Sequence, residues 1–297
     1  RRAMRVADAD VYNQRSTAFF TGQIAWFARG LGRAFTFSVG SDYNAYPDCR
    51  GLLPAPMAAL YRWGIARADA VIAQTEEQKR LMEKHFKRQI ALIRNGIPIP
   101  DSSEASAEPN FDEGKPPTFL WVGTLRTMKR AEIFIELARR VREARFILIG
   151  GNIYNEKYRR SIMEAVRTTP NVSQIDFVPP DKIDAYYKSA YALVNTSTYE
   201  GFPNTYLHAW IHGVPVLTLE IDPDDTIVRN GIGVVGRTID GLAAAAHRLI
   251  ADPSSRGEMS RRALSYVREH HDIRDRAEDY LRLFSALASR PRGARRR

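Results

Sequence analysis

The sequence contains 297 residues, of which 44% are hydrophobic and 26% are charged, a composition typical of a folded globular protein. This length exceeds what one hydrophobic core usually organises, so two domains are expected. No apolar run reaches the roughly 18 residues that a membrane-spanning helix needs. The lone Cys49 excludes an internal disulfide framework and indicates a reducing compartment.

The net charge of +10 limits the classes of partner. A basic surface can bind nucleic acid, an anionic membrane or phosphorylated substrates, or it can simply be solvated. No nucleic-acid recognition motif accompanies the charge, so we expect no nucleic-acid partner and keep an anionic membrane surface as the partner to test. Part of the charge lies in a C-terminal tail that we predict to be disordered, namely Arg290, Arg292, Arg295, Arg296 and Arg297.

Residues 1–99 have the pattern of an α/β domain. A helix is predicted over 76–86, where Thr75 and Gln78 have the spacing of a capping box. Apolar, strand-like segments occur at 9–14, 34–40, 69–74 and 90–95. These are few strands for a complete doubly wound domain, so we expect that its first strands are missing from this sequence.

A segment rich in Ser, Glu, Pro and Asp, residues 100–116, is predicted to be an inter-domain linker. Beyond it, residues 117–270 alternate strand and helix patterns, which predicts a second domain with a doubly wound parallel sheet. Residues 271–297 are predicted to form a C-terminal helix and the basic tail. The predicted strands are 118–123, 145–150, 172–178, 191–197, 214–220 and 233–236, and the predicted helices are 129–143, 155–168, 180–189, 204–212, 239–251, 254–270 and 273–289.

Two strand-to-helix turns of the second domain carry candidate ligand groups. In the first turn, Gly123 lets a ligand approach the backbone, and the cations Arg126, Lys129 and Arg130 suit phosphate. A helix start with solvated basic residues is the competing interpretation. Ligands of doubly wound sheets bind at the C-terminal ends of the strands, which is where this turn is predicted.

The second turn spans residues 195–210. Glu200 and Gly201 precede a helix that is predicted to open near Asn204 and Thr205, with Pro203 in its first turn. The free N–H groups of a helix start can bind an anion, and a hydroxyl-rich ligand would separate that anion from the glutamate. A helix cap beside a surface glutamate is the alternative.

The sequences of these two turns, VGTLRTMK and YEGFPNTYLHAW, resemble glycosyltransferase family 4 of the GT-B fold. The segments RWGIARADAVIAQTEEQKRLM and LIRNGI resemble the end of that family's N-terminal domain. The resemblance covers about residues 67 to 289. It implies two Rossmann-like domains, of which the N-terminal one is incomplete here, and a retaining transfer from a nucleotide-diphosphate sugar. Metal independence is expected because fixed cations and helix N–H groups would stabilise the leaving diphosphate.

The resemblance also implies roles for individual residues. Lys129, with Arg126, would contact the donor diphosphate, and Glu200 would hold the donor sugar as the first glutamate of an E-x7-E motif. Val178 and its neighbours would lie against the base. The backbone of one loop would hold sugar and phosphate; its residues are Gly201, Phe202, Pro203, Asn204 and Thr205.

Two positions depart from the family pattern. The arginine that usually follows Gly123 is Thr124, and Arg126 two residues later could take over its phosphate contact. The second glutamate of E-x7-E is His208. A neutral imidazole can still hydrogen-bond a ribose hydroxyl, although a half-buried structural histidine is the alternative.

Other candidates are weaker. Ser38, Asp42 and Asn44 follow a predicted strand of the first domain, where the family places acceptor groups, and turn chemistry explains them equally well. The pair Asp222 and Asp224 is interpreted as turn-forming. The histidines and Cys49 show no metal-ligand spacing, so neither a metal nor a cofactor other than the nucleotide sugar is expected.

The sequence therefore predicts a transferase that moves a sugar to a glycan or lipid-linked acceptor. The expected location is cytoplasmic, where the basic surface would allow a peripheral position at the inner face of the cell membrane. Three rivals stay open: a sugar-nucleotide 2-epimerase with the same fold, a non-catalytic module that keeps a degenerate site, and a basic nucleic-acid binder.

Overall fold

The computed structural model describes residues 2–17, 20–100, 115–151 and 155–289, and the chain divides into two compact units. Unit 1 groups Arg1–Gly96 with Ile273–Arg297, and unit 2 is Ile97–Asp272. Most of the predicted linker 100–116, and the arginines assigned to the tail, lie outside the described residues. Within the described ranges, no helix has both the length and the apolar character needed to cross a bilayer.

The strands and helices alternate along both units. The strands are β1 Val11–Arg15, β2 Ala34–Ser38, β3 Ala70–Ala73, β4 Ala91–Leu92, β5 Thr118–Val122, β6 Arg145–Ile149, β7 Val172–Ile175, β8 Ala192–Asn195, β9 Val216–Thr218 and β10 Gly233–Val235. The α-helices are α1 Arg2–Ala7, α2 Thr21–Gly30, α3 Ala55–Arg67, α4 Glu76–Phe86, α5 Ala131–Arg140, α6 Glu156–Arg167, α7 Ile183–Lys188, α8 Asn204–Trp210, α9 Thr226–Asn230, α10 Ile239–Ala251, α11 Pro253–His271 and α12 Ile273–Ala288.

Unit 1 contains a parallel sheet of four described strands in the order β1-β2-β3-β4. Strand β2 is buried along its whole length, and Phe35 and Phe37 join the core of the unit. The predicted cap of α4 is confirmed at Thr75, whose hydroxyl accepts from the Gln78 backbone N–H at 3.1 Å. The Gln78 side chain accepts instead from the Gln74 N–H, one residue earlier than in a capping box.

Unit 2 is built on a six-stranded parallel sheet in the order β10-β9-β8-β5-β6-β7. Both faces are buried, because successive residues of β5 enter different cores: Phe119 and Trp121 pack in one cluster, and Leu120 packs in the other. The strand order reverses between β5 and β8. Ligands of doubly wound sheets bind at such a reversal, at the carboxyl ends of the strands.

The start of α5 differs from the prediction of a helix over 129–143. Residues Thr127–Lys129 form a 3-10 turn, and Arg130 adopts the left-handed conformation with φ 50°, so the α-helix begins only at Ala131. It ends at Arg140, and the buried Val141 lies just beyond it. This interruption turns the basic residues of the first predicted turn into a separate loop.

Strands β7 and β8 are among the elements that are shorter than predicted, and both leave residues in loops at the same edge of the sheet. Strand β7 ends at Ile175 rather than at 178, and β8 ends at Asn195 rather than at 197. A glycine brings the neighbouring loops together: a Cβ on Gly150 would lie 1.7 Å from the Gly123 carbonyl oxygen. Only glycine permits that approach.

Candidate functional site

A cavity of about 960 Å³ lies in unit 2, at the carboxyl edge of the sheet. It is lined by the loops that follow β5, β6 and β7 and by the first turns of α8, so it lies beside the strand reversal. The structure brings together in its wall the predicted residues Gly123, Thr124, Arg126, Val178, Asn204, Thr205 and His208. The predicted Lys129, Glu200, Gly201, Phe202 and Pro203 are outside this lining.

Lys129 and Glu200 form an ion pair between their two loops. The Ser197 hydroxyl also donates to the Glu200 carboxylate, at 2.8 Å. The exposed fractions of the two charged side chains are 24% and 16%, so water screens the pair only in part. The sequence predicted both residues for the site, and the structure adds that they pair with each other.

Hydrogen bonds connect the loop that carries Lys129 to the loop that carries Glu200. The Thr196 hydroxyl donates to the Lys129 carbonyl at 2.7 Å, and the Thr198 N–H donates to the Met128 carbonyl at 2.9 Å. Trp121 of β5 donates its indole N–H to the same Thr196 oxygen, at 3.0 Å. The loop that carries Lys129 is therefore held against the start of the loop that carries Glu200.

Arg130 completes the connection. Its Nε donates to the Thr196 carbonyl at 2.7 Å, and one Nη donates to the Ser197 carbonyl at 3.3 Å. The same Nη lies 3.1 Å from Glu220. The sequence had suggested that Arg130 is either a solvated cation or a group that binds phosphate. In the structure its guanidinium instead acts as a clamp, meaning that it holds the 196–197 segment by hydrogen bonds to two carbonyl groups.

The predicted donor loop has a buried anchor. Phe202 is 8% exposed, and its ring lies 6.1 Å from that of Trp210 and 4.9 Å from that of His271. Pro203 is the N-cap of α8, which is 7 residues long. Because the side chain of Phe202 belongs to the core, only the backbone of this residue could serve a ligand.

His208 extends from α8 into the wall of the cavity. Its ring stacks on that of Tyr187 at 5.4 Å, and its Nδ1 lies 3.9 Å from an oxygen of Asp184. His212 lies closer to that oxygen, at 3.4 Å. Burial lowers the pKa of both histidines, and the carboxylate of Asp184 opposes the shift without cancelling it. The lowered pKa favours the neutral imidazole of His208 at pH 7.

The end of the cavity near β7 contains groups that the sequence analysis did not select. Phe177, which is 73% exposed, lies there beside the predicted Val178. Arg159 of α6 and Asp176 add a guanidinium and a carboxylate to the lining. The sequence analysis did not select them because it predicted a strand through residue 178. Had it predicted a loop at the carboxyl end of β7, they would have been ligand candidates.

The predicted acceptor residues of unit 1 are engaged in local hydrogen bonds. Ser38 donates to Asn13 at 3.0 Å, and Asp42 accepts from Gln78 at 3.0 Å. The Asn44 side-chain oxygen accepts from the backbone N–H groups that open its own turn, at 2.9 and 3.0 Å. Each side chain thus has a structural function, and a role toward an acceptor stays a prediction.

Asp222 is turn-forming, as predicted. Its carboxylate accepts from the backbone N–H groups of Ile227 and Val228 at 2.7 and 3.2 Å, and burial raises its pKa. Asp224 follows in the left-handed conformation, with φ 57°. In the part of the chain that the structure describes, no group of three or more His, Cys, Asp or Glu residues is arranged to hold a metal ion.

Comparison with known proteins supplies independent information. Residues 116–252 match the sequence model of the family described as "Glycosyl transferases group 1". The D-inositol 3-phosphate glycosyltransferase of Nocardiopsis dassonvillei is 24% identical over 218 residues, which are 66% of this chain and 51% of that protein. The chain thus spans about half the length of this curated relative.

Two solved structures share the fold. Sucrose-phosphate synthase from Thermosynechococcus elongatus superposes with a TM-score of 0.81 at 18% identity, over 96% of this chain and 75% of that one. Anabaena HepE in complex with UDP gives 0.78 at 15% identity, over 96% and 81%. These likenesses confirm the predicted fold class, an α/β protein with two doubly wound Rossmann-like units of the GT-B type.

Proposed function

We propose that the protein transfers a sugar from a nucleotide-diphosphate donor bound in unit 2, as the match of residues 116–252 to the group 1 glycosyltransferase model suggests. One observation carries the proposal: residues selected from two distant turns of the sequence line a single cavity beside the strand reversal. The complex of HepE with UDP supports a nucleotide in a protein of this fold.

The proposed chemistry places cations where negative charge develops. Cleavage of the donor's glycosidic bond leaves charge on the diphosphate, and Arg126 and Lys129 would stabilise it from one loop. By analogy with oxyanion-hole deletions, each such contact contributes about 3–4 kcal/mol to the transition state. Because α8 has only 7 residues, its dipole is a lesser contribution than these side-chain charges.

The ion pair of Lys129 and Glu200 fits a pre-organised donor site. In the proposed cycle, the ammonium group exchanges the carboxylate for diphosphate oxygens, and Glu200 accepts from hydroxyls of the donor sugar. The hydrogen bond from Ser197 to Glu200 and the one from Thr196 to the Lys129 carbonyl would keep both groups in position during the exchange. Little reorganisation is then needed when the donor arrives, which is the condition for effective electrostatic catalysis.

The proposal extends to retention of anomeric configuration and to independence from metal ions. Fixed cations would perform the charge stabilisation that a divalent metal provides in other transferases. Proton NMR of the first product would show the starting anomeric configuration, and activity would persist in EDTA. An inverted product, or a complete loss in EDTA that Mg²⁺ restores, would contradict these parts of the proposal.

The acceptor is proposed to be a hydroxyl of a glycan or of a lipid-linked glycan bound by unit 1, at an anionic membrane surface. The name of the relative from Nocardiopsis also suggests a phosphorylated polyol as an acceptor to assay. Vesicles of neutral lipid with increasing anionic lipid would test the membrane association. Co-sedimentation that is independent of the anionic fraction would argue against it.

The donor site itself is tested with nucleoside diphosphates. A ligand that binds the native state raises the melting temperature by mass action. We expect a shift with at least one of UDP, GDP and ADP, lost in Lys129→Ala and kept in the control Lys157→Ala, an exposed lysine of α6. Analysis of the sugar after incubation with donor alone would reveal a 2-epimerase instead.

A further inference from the structure

We propose that His271, a buried residue outside the cavity lining, positions the donor loop of unit 2 and so sets the affinity of the chain for the donor diphosphate. The donor loop is defined as residues 201–205. This inference rests on the proposed function, since it assumes a nucleotide-diphosphate donor in the cavity. His271 is a positioning residue in this proposal, because it acts through the side chain of Phe202.

Four rings, one of them an imidazole, form a closed aromatic cluster in unit 2. The ring of Phe202 lies 6.1 Å from that of Trp210 and 4.9 Å from that of His271. Tyr266 closes the circuit, because its ring lies 5.5 Å from that of Trp210 and 5.5 Å from that of His271. These separations are in the range of about 4.5–7 Å over which aromatic pairs attract each other. Phe202 is the member of the cluster that belongs to the donor loop.

The position of the Phe202 ring is coupled to the backbone of the donor loop. A residue that precedes a proline is restricted to extended backbone conformations, and Pro203 follows Phe202 directly. Pro203 is also the N-cap of α8, with φ −68°. Because Phe202 has few backbone conformations available, its ring can move only if the peptide groups of the loop move as well. These are the groups proposed to hold the sugar and the phosphate.

The aromatic cluster also holds α8 near both of its ends. Phe202 lies two residues before the start of the helix, and Trp210 is its last residue. The helix supplies three residues to the cavity wall, namely Asn204, Thr205 and His208. The other two rings of the cluster belong to α11, which contributes no residue to that wall within the described ranges. Helix α11 therefore supports the wall through the cluster.

His271 is the fixed point of the aromatic cluster. It is 0% exposed, and its ring lies closer to Phe202 than the ring of Trp210 does. Its carbonyl accepts from the Ile97 N–H at 2.8 Å, and Ile97 pairs with Asp272 in a parallel β-bridge. A second segment of the chain thus holds the backbone of His271. Loss of the imidazole would leave a void beside Phe202, into which that ring could shift.

Isothermal titration of the full chain with UDP, GDP and ADP, well below the melting temperature, tests the inference. For the nucleotide that the wild type binds most tightly, His271→Ala should weaken binding about tenfold, by analogy with residues that orient a ligand-contacting group from outside the site. His271→Phe should bind within about twofold of the wild type, because a second ring of similar volume restores the packing. A His271→Phe variant that binds as weakly as His271→Ala would contradict the packing role.

A double variant tests whether His271 acts through Phe202. Phe202→Leu should itself weaken the nucleotide, since it removes the ring that His271 contacts. His271→Ala added to Phe202→Leu should then cause little further loss, because residues that act through one contact are not additive. Losses that simply add would show that His271 affects binding by another route and would overturn the proposal.

Leu249→Ala is the matched control for a general loss of stability. Leu249 is 3% exposed and packs in the other core cluster of unit 2, away from Phe202 and outside the cavity lining. The substitution opens a void in the core and should lower the melting temperature, yet leave the nucleotide affinity unchanged. An equal loss of affinity in Leu249→Ala and His271→Ala would show that affinity merely follows stability. If His271→Ala does not fold, as judged by circular dichroism, His271→Leu, which keeps apolar volume without a ring, replaces it and should also weaken binding.

The outcomes separate this inference from the proposed function. A wild type that binds a nucleoside diphosphate, with a folded His271→Ala or His271→Leu variant that binds it equally well, would overturn the positioning role and leave the donor site standing. A wild-type chain that binds none of the three nucleotides would overturn both.

Discussion

The ammonium group of Lys129 pairs with the carboxylate of Glu200, although 71 residues separate them in the sequence. The pair is possible because the 3-10 turn before α5 and the loop after β8 lie at the same edge of the sheet. If both groups grip the donor, Lys129→Met and Glu200→Gln should each lower kcat/KM for transfer at least about a hundredfold. Circular dichroism must show that both variants fold.

The same pair predicts a coupled effect on stability. Each single variant leaves a partly buried charge without its partner, so it should cost about 1–2 kcal/mol of unfolding free energy, less than for a fully buried pair. The double variant should cost less than the sum, by about 0.5–3 kcal/mol, as expected for residues in contact. Urea unfolding of all four proteins measures this. Strict additivity would show that the ion pair contributes nothing in solution.

Arg130 is predicted to stabilise the site without touching the donor. Its guanidinium, 21% exposed, donates to two carbonyls of the 196–197 segment. Arg130→Ala should therefore lower the unfolding free energy by about 2 kcal/mol, as for hydrogen bonds to a charged group. Arg160→Ala removes an arginine that is 77% exposed and should cost less than about 0.5 kcal/mol. Equal melting temperatures for the two variants would refute the clamp.

Gly150 and Gly151 offer a second matched comparison. A Cβ on Gly150 would clash with the Gly123 carbonyl at 1.7 Å, whereas one on Gly151 would approach the Asp176 carbonyl only to 3.1 Å. Gly150→Ala should force the β5 and β6 loops apart, cost about 1–3 kcal/mol and weaken nucleotide binding. Gly151→Ala should do so much less. Titration with the preferred nucleotide and thermal melting of both variants check the difference.

His208 makes the stability depend on pH. Burial lowers its pKa in the folded state below the ordinary value of 6.5, so on acidification the unfolded chain takes up the proton first. The contribution of His208 to the unfolding free energy should be fully present above pH 6.5. It should be lost as the pH drops from 6.5 through the folded-state pKa. His208→Gln should reduce the slope of the unfolding free energy against pH. His212 has the same direction of shift, so His208→Gln/His212→Gln should flatten it further.

Urea midpoints measured between pH 8 and pH 5 test this dependence. His247→Gln is a suitable control, because that histidine is 47% exposed on α10 and pairs with Glu143 away from the cavity. A slope between pH 8 and pH 5 that both His208→Gln and the double variant leave unchanged would assign the dependence to other groups.

The sequence alone determined which segments are strands, which faces are buried and which turns hold the candidate donor groups. Near-continuous apolar runs such as that around Phe119 are typical of strands that are buried on both faces of a parallel sheet, and the alternation with helices indicates a doubly wound order. The glycine and basic residues of the first turn then mark the ligand edge of that sheet.

Only the tertiary structure decided which side chains are partners. Arg130 donates to the carbonyl of Thr196, and Glu200 pairs with Lys129. Asp176 lies in a loop rather than in the predicted strand, 3.6 Å from Arg159. Periodicity records which side of an element is buried, but a contact between loops depends on strand order and on local backbone conformation. The left-handed turn at Arg130 is an example: the residue is not glycine, and its contacts with Thr196 and Ser197 offset the conformational cost only once β8 lies beside β5.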